Sequence, residues 1–117
     1  MKLLSAFVAL SLLVGCSFFQ GVHSETMLVV FSVQPEKRAE FIEELNKILV
    51  DTRAYNGCMG VAVWTNEEDA DEVTLYEQWL SRDHQASYLN WRIETGNTAH
   101  LQPFLKSGTR FLWVQEH

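Results

Sequence analysis

Five residues in the second half of the chain have the types and spacing to handle a flat, weakly acidic molecule: Trp79, Tyr88, Trp91, Arg92 and His100. Two indoles and a phenol ring can wall a planar ring system. Histidine exchanges its proton near neutral pH, which makes His100 the expected base. Arginine keeps its charge at any ordinary pH, so Arg92 is expected to hold the phenolate left when a phenol gives up its proton. His100 and Arg92 are thus the expected catalytic residues, and Trp79, Tyr88 and Trp91 the expected binding residues. Each also has a plainer use. Trp79 can fill the core, Tyr88 and Trp91 can pack on Leu101 and Phe104 or on a second subunit, His100 can be a surface histidine, and Arg92 can pair with an acidic neighbour.

The segment Val73–Gly96, VTLYEQWLSRDHQASYLNWRIETG, must position most of these residues. It reads as a strand ending at Trp79, a helix cap at Ser81 with Asp83 in the first turn, and a helix closed by Gly96. At about 100° per residue, Ala86, Leu89 and Ile93 fall on one side of that helix. His84, Tyr88, Trp91 and Thr95 fall on the other. A helix lying on a sheet needs one apolar stripe. The aromatic stripe is therefore surplus, to be covered by another segment, a partner subunit or a ligand.

The remaining elements follow from periodicity and breakers. Met27–Gln34 is a short apolar run of the kind expected for a strand covered on both faces. Pro35 opens a helix in which Phe41, Ile42, Leu45, Ile48 and Leu49 share one stripe, with a Glu43–Lys47 pair outside. Gly57 marks the exit turn. Met59–Trp64 and Val73–Trp79 read as strands joined by the polar run Asn66–Glu72, a solvated turn without the central glycine of a calcium loop. A short helical piece at about Thr98–Leu105 carries Pro103, and Thr109–Gln115 is the last strand. The order β-α-β-β-α-β predicts an α+β, ferredoxin-like subunit, an antiparallel sheet with helices on one face. The strands are apolar on both alternating sets, which predicts a homodimer packed sheet to sheet.

The first 24 residues read as an address. Lys2 precedes an almost unbroken apolar run from Leu3 to Phe19 with small-residue exits, the pattern of a signal peptide. One exit, Leu13-Val14-Gly15-Cys16, has the form of a lipobox, with Cys16 as the lipidated residue. The other is cleavage after Ser24, leaving residues 25–117 as one domain. Either exit places the domain outside the cytoplasm, as a membrane-anchored lipoprotein or a secreted protein, touching membrane only through this peptide or a lipid on Cys16. The net charge of −6 and the lack of any basic run argue against nucleic acid as a partner. The two cysteines, Cys16 and Cys58, leave no intrachain disulfide once Cys16 is lipidated or removed. The four histidines lack the spacing of a zinc site, and neither CxxC nor HExxH occurs, so no metal is expected.

The element order, the Gly57-Cys58 start of the second strand, and the passage Tyr76-Glu77-Gln78-Trp79-x-Ser81 resemble the antibiotic biosynthesis monooxygenase (ABM) family over about Met27 to Val114. The resemblance implies a dimeric α+β barrel. It further implies chemistry in which dioxygen is the co-substrate and no metal or flavin is needed, on a phenolic or quinol substrate; other members degrade haem. Trp79 matches the tryptophan that closes the third strand and borders the family's pocket. Leu75 stands where the cofactor-free oxygenases have an asparagine, and Gln85 where they have a pocket tyrosine. The haem-degrading branch is matched less well. Its first-strand asparagine has no counterpart in LVVFSVQ, and Tyr88 replaces its tryptophan. Two functions are therefore expected: a cofactor-independent monooxygenase acting on a small aromatic (quinol or phenolic) substrate, or a non-catalytic dimeric module binding an apolar or aromatic ligand. Haem handling finds less support.

Overall fold

The structure is a computed structural model that describes residues 23–117. The expected signal peptide, its lipobox and Cys16 lie outside the described residues, except for His23 and Ser24. Strand β1 (Glu25–Ser32) leads through a 3-10 turn (Pro35–Lys37) into α1 (Arg38–Ala54). Strands β2 (Cys58–Asn66) and β3 (Asp69–Trp79) form a hairpin, followed by α2 (Arg82–Thr95), a 3-10 segment (Ala99–Phe104) and β4 (Arg110–Val114). The four strands form one antiparallel sheet in the order β2-β3-β1-β4. This is the ferredoxin-like α+β fold expected from the element order.

Register divides the sheet into two faces. Val29 lies opposite Leu75 on one side and Phe111 on the other, and Leu75 lies opposite Val63, so these four side chains share a face. On that face Met27, Val29, Val33, Val73 and Leu75 pack with Phe41, Leu45, Ile48 and Leu49 of α1 into one core. The strict alternation of β3 puts Val73, Leu75, Glu77 and Trp79 inward and buries all four. The other face carries Leu28, Val30, Ala62, Trp64, Tyr76, Leu112 and Val114, and no helix among the described residues covers it.

Several boundaries and pairings differ from the sequence reading. The acidic run is mostly strand: only Glu67 and Glu68 turn the hairpin, and β3 starts at Asp69. Charged side chains are tolerated there because Asp69 and Ala70 are exposed and the ladder needs only their backbone. Lys47 bonds to Glu44 at 2.9 Å rather than to Glu43. Helix α2 does not bury two stripes. Its inward side is Gln85, Tyr88 and Arg92, whereas Ile93 is 70% exposed and Ala86 is exposed. Ser81 caps this helix, accepting from the His84 N–H, and Gly96 ends it in the left-handed conformation. The 3-10 segment is tied to the end of β1 by Gln34 N–H to Phe104 O (2.9 Å) and Lys106 N–H to Ser32 O (2.8 Å). That tie closes a third wall over the sheet.

Candidate functional site

Between the helix-bearing face of the sheet, the two helices and the 3-10 segment lies a cavity of about 200 Å³. Val29, Phe31, Leu75 and Phe111 form its floor, Leu45, Ile48 and Leu49 of α1 one wall, and Leu101 and Leu105 another. Helix α2 supplies Gln85, Tyr88, Leu89 and Arg92, and β3 supplies Glu77. Half-exposed Phe111 and exposed Gln102 mark the side on which it meets solvent.

Glu77 is the least expected member. It is 3% exposed, and its one hydrogen bond among the described residues is accepted at Oε1 from the Trp79 indole N–H, at 3.1 Å. Burial raises its pKa above the ordinary carboxyl value, outweighing the indole N–H, which lowers it. A carboxyl of this kind holds a proton more readily than an exposed one, and its second oxygen is free for a ligand. The signal was present in the strand pattern: an acidic residue at a strictly inward position between Leu75 and Trp79.

Arg92 is buried, and among the described residues no carboxylate lies within ion-pair distance of it. Its guanidinium is held by neutral groups instead. Nε donates to the Tyr88 hydroxyl (2.9 Å), one terminal nitrogen to Asn97 Oδ1 (3.0 Å), and the other to Ile48 O (2.8 Å) and Thr52 Oγ1 (3.1 Å). Tyr88 and Thr52 close the ring of contacts with a 2.7 Å hydroxyl–hydroxyl bond. The guanidinium also stacks 4.6 Å from the Trp91 ring and 5.2 Å from the Tyr88 ring. This network clamps α2 to α1 and leaves a positive charge in the cavity wall with no fixed counter-anion.

The five residues singled out by type are thus only partly brought together. Arg92 and Tyr88 line the cavity. Trp79 is fully buried behind the lining, where it orients Glu77 and packs 5.2 Å from the Tyr88 ring. Trp91 stands on the outer side of Tyr88, packed 5.5 Å from Tyr55. His100 lies apart, half exposed, with Nε2 at 3.7 Å from Glu44. Cys58, half-buried, has its thiol pKa raised by burial, with a further push from Glu77, which keeps it protonated.

The sequence model of the antibiotic biosynthesis monooxygenase family matches residues 26–93, a span holding Glu77, Gln85, Tyr88 and Arg92. The structure is similar to that of a conserved protein from Methanosarcina mazei Go1, with TM-score 0.72 and 19% identity over 86% of this chain and 99% of that one. It is also similar to Rv0793 from Mycobacterium tuberculosis, with TM-score 0.62 and 20% identity over 81% of this chain and 96% of the other. A Caulobacter crescentus CB15 protein, provisionally named an antibiotic biosynthesis monooxygenase, aligns with TM-score 0.70 and 16% identity over 80% and 90% of the two chains. At such identities the likeness is one of fold. No curated protein matches the chain in sequence.

Proposed function

The chain belongs to the antibiotic biosynthesis monooxygenase family, and on that premise we propose that it oxygenates a small phenol or hydroquinone with dioxygen, without a resident cofactor. The observation that carries this reading is one ring-sized apolar cavity, open to solvent on one side, that holds both a buried carboxyl and a buried guanidinium without an ion-pair partner among the described residues. Glu77 takes the proton of one hydroxyl. The Arg92 charge stabilises the phenolate and the superoxide formed when that phenolate passes an electron to dioxygen. Superoxide and ring radical then join at a ring carbon. The peroxide so formed takes back the Glu77 proton, and the hydroperoxide then loses water: its O–O bond breaks as the hydrogen on the same ring carbon leaves as a proton to the departing hydroxide, and the oxygen kept on the ring becomes a carbonyl. For a hydroquinone the balance is hydroquinone and dioxygen to hydroxyquinone and water. A site that excludes bulk water favours both the proton transfer and the charge stabilisation.

Haem is disfavoured by the same cavity. The space is too small for a tetrapyrrole, and no histidine lines it. The protein is further proposed to act as a homodimer joined through its uncovered sheet face and to reside outside the cytoplasm.

Dioxygen uptake by the purified protein with a panel of hydroquinones and catechols tests the reading. Saturable uptake is expected, rising with pH as Glu77 ionises, and Glu77→Gln is expected to lower kcat by roughly 100-fold or more. Ligand binding with no uptake across the panel overturns catalysis and leaves a binding module.

A further inference from the structure

Gln85 has no structural task in keeping with its burial. It is 6% exposed, it projects from the inward side of α2, and it lines the cavity that holds Glu77. Its side-chain amide makes no hydrogen bond among the described residues. No sealed side-chain polar atom is left without a partner there, so the amide oxygen and nitrogen face the open space of the cavity rather than packed protein. An amide that meets no protein partner adds nothing to the packing that a leucine would not, and its donor and acceptor are left for whatever enters the cavity. Such a group is expected to meet its partner in a ligand.

We infer that Gln85 is the residue that selects the ligand: its amide holds the oxygen of a single-ring dihydroxybenzene that Glu77 does not touch. Two arguments converge on that class. The first is size. A cavity of about 150 Å³ accepts benzene, so the cavity here, at about 200 Å³ with one side open to solvent, seats one ring with small substituents within its walls and holds a fused second ring less well. The second is the donor–acceptor balance. A hydroquinone hydroxyl donates, and the quinone carbonyl it becomes on oxidation can only accept. An amide has both an acceptor oxygen and donor N–H groups, so Gln85 stays bonded to that oxygen before and after reaction. A carboxylate could serve only the first form, whereas the amide keeps the hydroxyl as donor and the carbonyl as acceptor without adding a charge. The inference rests on the phenol reading above, but it concerns recognition and is measured without turnover.

The test is anaerobic titration of the purified protein, followed by quenching of its tryptophan fluorescence. The probes are hydroquinone, toluene and 1,4-dihydroxynaphthalene, and the proteins are wild type, Gln85→Leu and Gln85→Met. The apolar variants are expected to bind hydroquinone about tenfold or more weakly, and toluene as well as wild type or better. The two-ring diol is expected to bind wild type at least about tenfold more weakly than hydroquinone, because the second ring overfills the space. Unchanged hydroquinone affinity in either folded variant overturns the role of Gln85. Equal affinity for the one-ring and two-ring diols overturns the size limit. Dioxygen uptake with unaltered variant binding would sink this inference alone, whereas the expected binding pattern without uptake would sink the oxygenase reading alone.

Discussion

Glu77 ties stability to pH in a direction opposite to that of most carboxyls. Its pKa is raised on folding, because burial disfavours the charged form. Its contribution to stability is therefore complete below the unfolded value near 4.5 and is lost as pH rises through the raised folded value. Denaturant unfolding between pH 4 and pH 8 should show wild-type stability falling over that window relative to Glu77→Gln, which keeps the shape and removes the charge. Parallel profiles for the two proteins would mean that Glu77 is not buried as described. The residue was legible in the sequence as an acid on the inward set of a strand. Choosing by chemical type favoured His100 instead, since histidine is the side chain most often used as a base. Type alone does not report that His100 lies on the outer turn beside Glu44, nor that burial raises the pKa of a glutamate inside the cavity.

At the scale of elements, the orientation of α2 decides which side chains enter the cavity, and the turn before β2 sets that orientation. Periodicity offered two stripes and no means of ranking them. The structure buries neither stripe as read but a row between them, Gln85, Tyr88 and Arg92, of which only Tyr88 belongs to the aromatic stripe: Tyr88 bonds to Thr52, Arg92 bonds across to α1, and Ile93 is left outside. Gly57 fixes the start of the helix. It accepts from the Leu80 N–H (2.8 Å) and sits at φ +92°, and a β-carbon placed there would lie 2.3 Å from the His84 ring. Gly96 provides an internal control, since it also has positive φ (+62°) but open space around it. Gly96→Ala should cost about 1–2 kcal/mol, the backbone term alone. Gly57→Ala should cost clearly more, because the clash adds to that term, and His84→Ala should recover part of the excess in a double-mutant cycle. Equal losses for the two glycines would remove the contact from the account of how α2 is aimed. The two glycines were readable as the exit turn and the helix end, but the Gly57–His84 approach was not, because it is set by the strand pairing that brings Leu80 beside Gly57.

At the scale of the whole molecule, the sheet order followed from the element order, and the two apolar strand sets foretold two non-polar faces. Among the described residues, helices cover only one of them. Trp64, 62% exposed, stacks on Tyr76 with ring centroids 5.9 Å apart, and Leu28, Leu112 and Val114 continue the same face. Contiguous surface of this kind is normally covered, and a self-complementary face is covered most simply by a second copy related by two-fold symmetry. If that copy is the cover, Leu112→Glu places an unpaired charge in the interface without touching the core between sheet and helices. An unpaired buried charge costs about 3 kcal/mol or more, so the dimer should weaken by roughly 100-fold or more. Sedimentation equilibrium of wild type and variant measures this directly, and a wild type that stays monomeric at micromolar concentration sinks the dimer. The variant also separates assembly from site. The cavity and its polar residues lie on the opposite face of the sheet and are built from described residues of a single chain. A monomeric Leu112→Glu protein should therefore bind hydroquinone within about threefold of wild type. Loss of binding together with the dimer would mean that the second subunit completes the site, and Glu77, Gln85 and Arg92 would then account for only part of it.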